Sequence, residues 1–160
     1  MQQDQRRETA SGFRTGELIA AIGGVLLIVV MFLPWLGIPD QVAEAAEGLG
    51  VSTADISTNA WESFTFLDIA WLVAAIGALV PAVLAASGAV AGPTRAGLSL
   101  ISSVLGVLAA LSILYRIIDP LKDASLKYGI WLGLITAVVI AYGSWRAVQE
   151  ARADQVGARG

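Results

Sequence analysis

Apolar positions along this chain come in blocks, not at intervals. Leu18 to Pro39 runs for 22 residues without Asp, Glu, Lys or Arg, Ile69 to Thr94 for 26, Ala96 to Tyr115 for 20 and Tyr128 to Trp145 for 18. A helix rising about 1.5 Å per residue needs about 20 residues to cross about 30 Å of hydrocarbon. Each block therefore predicts a membrane-spanning helix, the last helped by Lys127 and Arg146 reaching out to headgroup level. The predicted spans are 17–37, 66–88, 96–118 and 127–146, with a long loop over 38–65 and polar, mobile tails over 1–14 and 148–160. Only helices satisfy every backbone group within one segment, and four continuously apolar segments are too few for a closed barrel. The expected fold is all-α, an integral membrane four-helix bundle.

The connections add topology. Gly92-Pro93 and Asp119-Pro120 break helices, and short loops force antiparallel neighbours, so an up-down-up-down order is the simplest. Arg6, Arg7, Arg14, Arg95, Arg146, Arg152 and Arg159 fall on one side, against Arg116, Lys122 and Lys127 on the other. Seven against three predicts both termini in the cytoplasm. The first apolar run is longer than the core of a signal peptide, and the small-residue site Ala43-Glu44-Ala45 lies beyond its end, so an uncleaved first span is expected. Gln41 to Gly48 reads as a short interfacial helix ending at Gly48 and Gly50, in a loop rich in Asp and Glu and without a basic residue.

Composition agrees: 56% of residues are apolar, 14% are charged, and mean hydropathy is +0.72. The net charge of −3 comes with no basic cluster, so no nucleic-acid partner is expected. Cys and His are both absent, which removes disulfides, thiolate ligands and the usual axial or catalytic ligands of haem and zinc. No cofactor is expected. Neither a nucleophile elbow, a phosphate loop nor an HExxH motif occurs, and no enzyme activity is expected.

Small residues recur every four positions. Ala70, Ala74, Ala78 and Ala82 line one face of the second block, Ser102, Gly106 and Ala110 one of the third, and Gly129, Gly133, Ala137 and Ala141 one of the fourth. Such faces let helices approach closely, within the chain or against another membrane protein or a second copy. Trp35, Trp61, Trp71, Tyr115, Tyr128, Trp131 and Trp145 fall near span ends and read as an aromatic belt at headgroup level. Pro81 predicts a kink in the second span. Thr65 with Asp68, and Asn59 with Glu62, have capping-box spacing, and Arg14 beside Glu17 reads as a local pair. Asp68 and Arg116 form a candidate inter-helix polar pair. Ser99, Ser102, Ser103, Ser112 and Thr136 supply the only other polar groups for a path through the middle.

Phe32-Leu33-Pro34-Trp35-Leu36-Gly37, Asn59-Ala60-Trp61-Glu62-Ser63-Phe64, Ile118-Asp119-Pro120 and Tyr128-Gly129-Ile130-Trp131-Leu132-Gly133 together resemble a group of uncharacterised small four-span membrane proteins of actinobacterial type. That resemblance covers roughly 15–147 and implies the architecture and a bacterial inner membrane, with no activity. Two functions are expected to compete: a structural or accessory subunit packing through its small-residue faces, and a small transporter or channel component using Asp68 and Arg116.

Overall fold

A computed structural model describes residues 14–53, 56–64, 66–88, 92–120 and 124–157. Among these, 79% are helical, in six helices. They are α1 (Thr15–Val30), α2 (Asp40–Gly48), α3 (Ala60–Ser63), α4 (Leu67–Ser87), α5 (Gly92–Ile118) and α6 (Tyr128–Gly157). Three are long and apolar enough to cross a membrane: Leu67–Ser87, Thr94–Ile118 and Tyr128–Asp154.

The first block departs from expectation. Its helix is α1, 16 residues, about 24 Å at 1.5 Å per residue and short of a full hydrocarbon thickness. Pro34 is the reason: a proline disfavours helical geometry in the residue before it, so the chain leaves the helix at Met31. A run free of charge does not distinguish helix from buried loop.

After Pro34 the chain enters a three-stranded sheet that the all-α reading did not anticipate. Strands β1 (Leu36–Gly37), β2 (Ser57–Thr58) and β3 (Ser125–Leu126) lie in the order β2-β1-β3, with β1 antiparallel to both neighbours. Leu36 pairs with Thr58 on one side and Leu126 on the other. The sheet gives backbone groups at the end of the apolar core partners that no solvent-poor loop would supply: Trp35 N–H donates to the Thr58 carbonyl at 2.9 Å, and Lys127 N–H to the Trp35 carbonyl at 2.9 Å.

The long loop is thus partly structured. Helix α2 forms where expected and ends at Leu49, with Gly50 in the left-handed region at φ 77°. None of its residues is buried. Helix α3 starts on the anticipated box, Glu62 N–H donating to Asn59 Oδ1 at 3.0 Å and Asn59 N–H to Glu62 Oε2 at 3.3 Å. Thr65 lies outside the described residues. Helix α4 runs through Pro81 as one continuous helix.

Proline removes one donor, and the carbonyl it orphans is Gly77, four residues back. Ser102 Oγ on α5 donates to that carbonyl at 2.5 Å. In hydrocarbon such a replacement is worth on the order of 1 kcal/mol, and it explains how an interior proline is tolerated.

Helix α1 packs on α4 and α6, and α5 packs on the same two helices, while α4 and α6 touch only lightly. Gly16 of α1 lies against Ala147 of α6, and Gly129 of α6 against Pro34, so the early part of one follows the late part of the other. Helix α6 continues to Gly157 where a mobile tail was expected, because Ala147, Val148 and Ala151 are buried along one stripe of it.

Candidate functional site

The described charged groups gather at the two ends of the long helices. At the arginine-rich end, Glu17 sits in the first turn of α1 and is 1% exposed. Its partner is Arg95 of α5, 8% exposed, not Arg14 as sequence proximity suggested. Arg95 Nε donates to Glu17 Oε1 at 2.6 Å and its Nη2 to Oε2, a two-point fork that matches the guanidinium edge to the carboxylate. The bridge joins two helices that share no extensive packing face.

Around it, α6 fastens the start of α1. Gly16 N–H, one of the donors a helix leaves free at its N-terminus, donates to Glu150 Oε2 at 3.2 Å. Arg14 reaches Asp154 at 3.1 Å, and Arg146 holds Glu150 Oε1 at 3.1 Å. These contacts explain why the charged stretch after Arg146 stays helical. Arg14 meets Glu17 through its main chain: Arg14 N–H donates to Glu17 Oε2 at 3.4 Å and the Arg14 carbonyl accepts from Glu17 N–H at 3.0 Å.

The opposite end holds an aromatic plug. Trp35 and Trp71 are both 0% exposed and stack at 4.8 Å, with Phe64 edge-on to each at 6.2 and 5.1 Å. Trp35 Nε1 donates to the Val30 carbonyl and Trp71 Nε1 to Ser112 Oγ, each at 2.8 Å. For these two indoles the belt assignment is corrected: they fill the core beneath the sheet. Tyr115, Tyr128, Trp131 and Trp145 are exposed on helix exteriors, as a belt requires, and Trp61 is partly buried.

The small-residue faces are largely turned inward. A Cβ on Gly133 would lie 2.6 Å from the Trp35 ring, so the Gly129–Gly133 stripe houses an indole, not a neighbouring helix. Gly106 meets the Ala141 backbone, Ser103 Oγ donates to the Ala141 carbonyl at 3.3 Å, and Ala137 is fully buried. Ala74, Ala78 and Ala82 are buried and Ala110 packs on the core, while Ala70 is exposed. A closer approach went unread: Gly16, Ala20 and Gly24 on α1 and Gly143, Ala147 and Ala151 on α6 have the same four-residue spacing, and Gly143 would place a Cβ 2.5 Å from Ala20 N.

The candidate pair of Asp68 and Arg116 does not form an ion pair among the described residues. Asp68 is buried and accepts from Ile69 N–H at 2.7 Å, in the first turn of α4 where a negative charge is favoured. Arg116 spreads over the Phe64 ring at 5.5 Å and the Tyr115 ring at 5.9 Å, and its buried Nε has no acceptor among the described residues. Among the described residues no group of three acidic side chains is placed to hold a metal ion. Comparison with known proteins returned no matching family model, no matching curated protein and no matching solved structure.

Proposed function

We propose that the chain crosses a bacterial inner membrane four times as an up-down-up-down bundle with both termini in the cytoplasm, and serves there as a non-enzymatic structural or accessory subunit. Three long apolar helices support the membrane setting, and α1 with the turn from Met31 to Leu36 supplies the remaining crossing. The excess of arginine at one end supports the orientation. The resemblance of the Trp35, Trp61 and Trp131 segments to four-span proteins of actinobacterial type favours a bacterial membrane.

One observation favours a structural role over transport. Five of the hydroxyls inside the helices are bonded to backbone carbonyls: Ser99 to Arg95, Ser102 to Leu98 and Gly77, Ser103 to Ala141, Ser112 to Ala109, and Thr136 to Leu132 and Gly133, while the buried Ser144 Oγ has no partner among the described residues. Hydroxyls committed in this way tie helices together and offer little to a passing ion. Since the small-residue faces are used internally, a partner meets the apolar exterior or the acidic cap carrying α2.

Extraction in native lipid followed by mass spectrometry tests the reading. The expected result is a second membrane protein, or a second copy, held in stoichiometric amount, with no solute flux in reconstituted vesicles. Flux that Asp68→Asn abolishes while the protein stays folded overturns it in favour of transport.

A further inference from the structure

A groove of about 410 Å³ runs between α4 and α5, lined mainly by Leu67, Ala70, Trp71, Leu105, Leu108 and Ser112. Its walls are almost wholly apolar, and Ala70 and Leu108 are open to the exterior. On α5 the lining residues Leu105, Ala109 and Ser112 fall on one stripe, and the next position of that stripe is Arg116, about 6 Å further along the axis. Ring contacts fix the same arrangement: Arg116 lies over Phe64, and Phe64 lies edge-on to Trp71 in the groove wall.

Arg116 is an unusual cation for this position. A guanidinium keeps its charge, and Arg116, half-buried, has no hydrogen-bond or ion-pair partner among the described residues. Among the described residues it forms no ion pair: Asp119 accepts from the Tyr115 hydroxyl at 2.9 Å, Asp68 from Ile69 N–H, and Glu62 from Asn59 N–H. The helix dipole favours a cation in the last turn of α5, but it supplies no hydrogen-bond acceptor for the guanidinium. An apolar slot one turn below a guanidinium unpaired among the described residues, at the end where Tyr115, Tyr128 and Trp131 are exposed, has the two-part chemistry of one molecule.

We propose that the groove between α4 and α5 binds a phospholipid, one acyl chain lying along Ala70, Leu105 and Leu108 and the phosphodiester accepting from Arg116. The site rests on the membrane reading above and names the lipid. Phosphate oxygens suit the planar guanidinium edge, and the Phe64 and Tyr115 rings hold that edge in place.

The test uses the full chain in phosphate-free detergent, with native mass spectrometry of bound dioleoylphosphatidylglycerol against dioleoylglycerol, which carries the same chains without the phosphate. The parent protein is expected to favour the phospholipid by roughly five- to tenfold. Arg116→Gln is expected to erase the preference and leave the weak diacylglycerol binding; Arg116→Lys keeps part of it. Ala70→Phe, an exterior substitution that leaves the core untouched, is expected to lose both lipids. No preference in the parent, an undiminished preference in Arg116→Gln, or unchanged binding in Ala70→Phe overturns the site, and the Ala70 arm stands even if the Arg116 variants fail to fold. Failure of the membrane reading looks different: the chain would then stay monodisperse without detergent.

Discussion

Glu17→Gln is expected to cost about 3–5 kcal/mol of stability, the largest loss for any single polar substitution in the chain. The size follows from what remains, not from what is removed. Arg95 cannot shed its proton, it is 8% exposed, and without the carboxylate its buried charge faces no compensation. Removing both partners is different, since an apolar pair of similar volume often replaces a buried ion pair at little cost. The double variant Glu17→Leu with Arg95→Met is therefore expected to recover most of the loss, giving a strong coupling in a double-mutant cycle read by unfolding in mixed micelles. Salt gives a second check. The Arg14–Asp154 contact, whose carboxylate is two-thirds exposed, weakens with ionic strength, whereas the Glu17–Arg95 contribution holds. A loss below about 1 kcal/mol in Glu17→Gln would show the pair to be solvated.

Gly143→Leu is the second large effect. The added Cβ alone falls 2.5 Å from Ala20 N and 2.9 Å from the Gly16 carbonyl, and backbone cannot step aside as a side-chain tip can. Helices α1 and α6 must separate, which strains the bridge from Gly16 to Glu150 as well. Overpacking of this kind costs about 1–3 kcal/mol and more where backbone is struck, so a loss of at least about 3 kcal/mol is expected. Gly97→Leu is the matched control: a Cβ there meets nothing within 4 Å, and removing a helical glycine is expected to be neutral or to stabilise by up to about 1 kcal/mol. Equal thermal stability of the two variants would contradict the packing.

These effects bear on what the sequence alone could reveal. Charge-free blocks located the long helices because the cost of burying charge in hydrocarbon is large and local, and the run from Asp40 with its terminal glycines located α2 for the same local reason. The Asn59–Glu62 box was legible since both partners lie within one turn. Glu17 and Arg95 were not, being 78 positions apart, and the i+3 neighbour Arg14 offered a nearer partner. Trp35 misled because a tryptophan near a span end looks alike whether it points to headgroups or folds back onto glycines; Gly129 and Gly133, spaced to receive it, carried the missing information. The extension of α6 was hidden by its charges, although the burial of Ala147, Val148 and Ala151 at helical spacing is written in plain apolar residues. Pro34 marked the end of α1, but a count of uncharged residues passes over proline.

The two ends of the helices are closed differently. One is closed by a forked ion pair and hydrogen bonds to α6, the other by stacked indoles under a small sheet. Among the described residues Arg116, without an ion-pair partner, lies one turn beyond the exterior groove between α4 and α5. A structural subunit that binds lipid is consistent with that layout.

The central claim, four crossings with both termini in the cytoplasm, is tested most directly by thiol accessibility, since the chain has no native cysteine. Ser57→Cys in β2 and Gly157→Cys at the end of α6 are each expressed in intact cells and exposed to a membrane-impermeant maleimide. The account predicts labelling at position 57 only, with position 157 reacting after the membrane is permeabilised. Labelling of position 157 in intact cells, or of both positions alike, would contradict it.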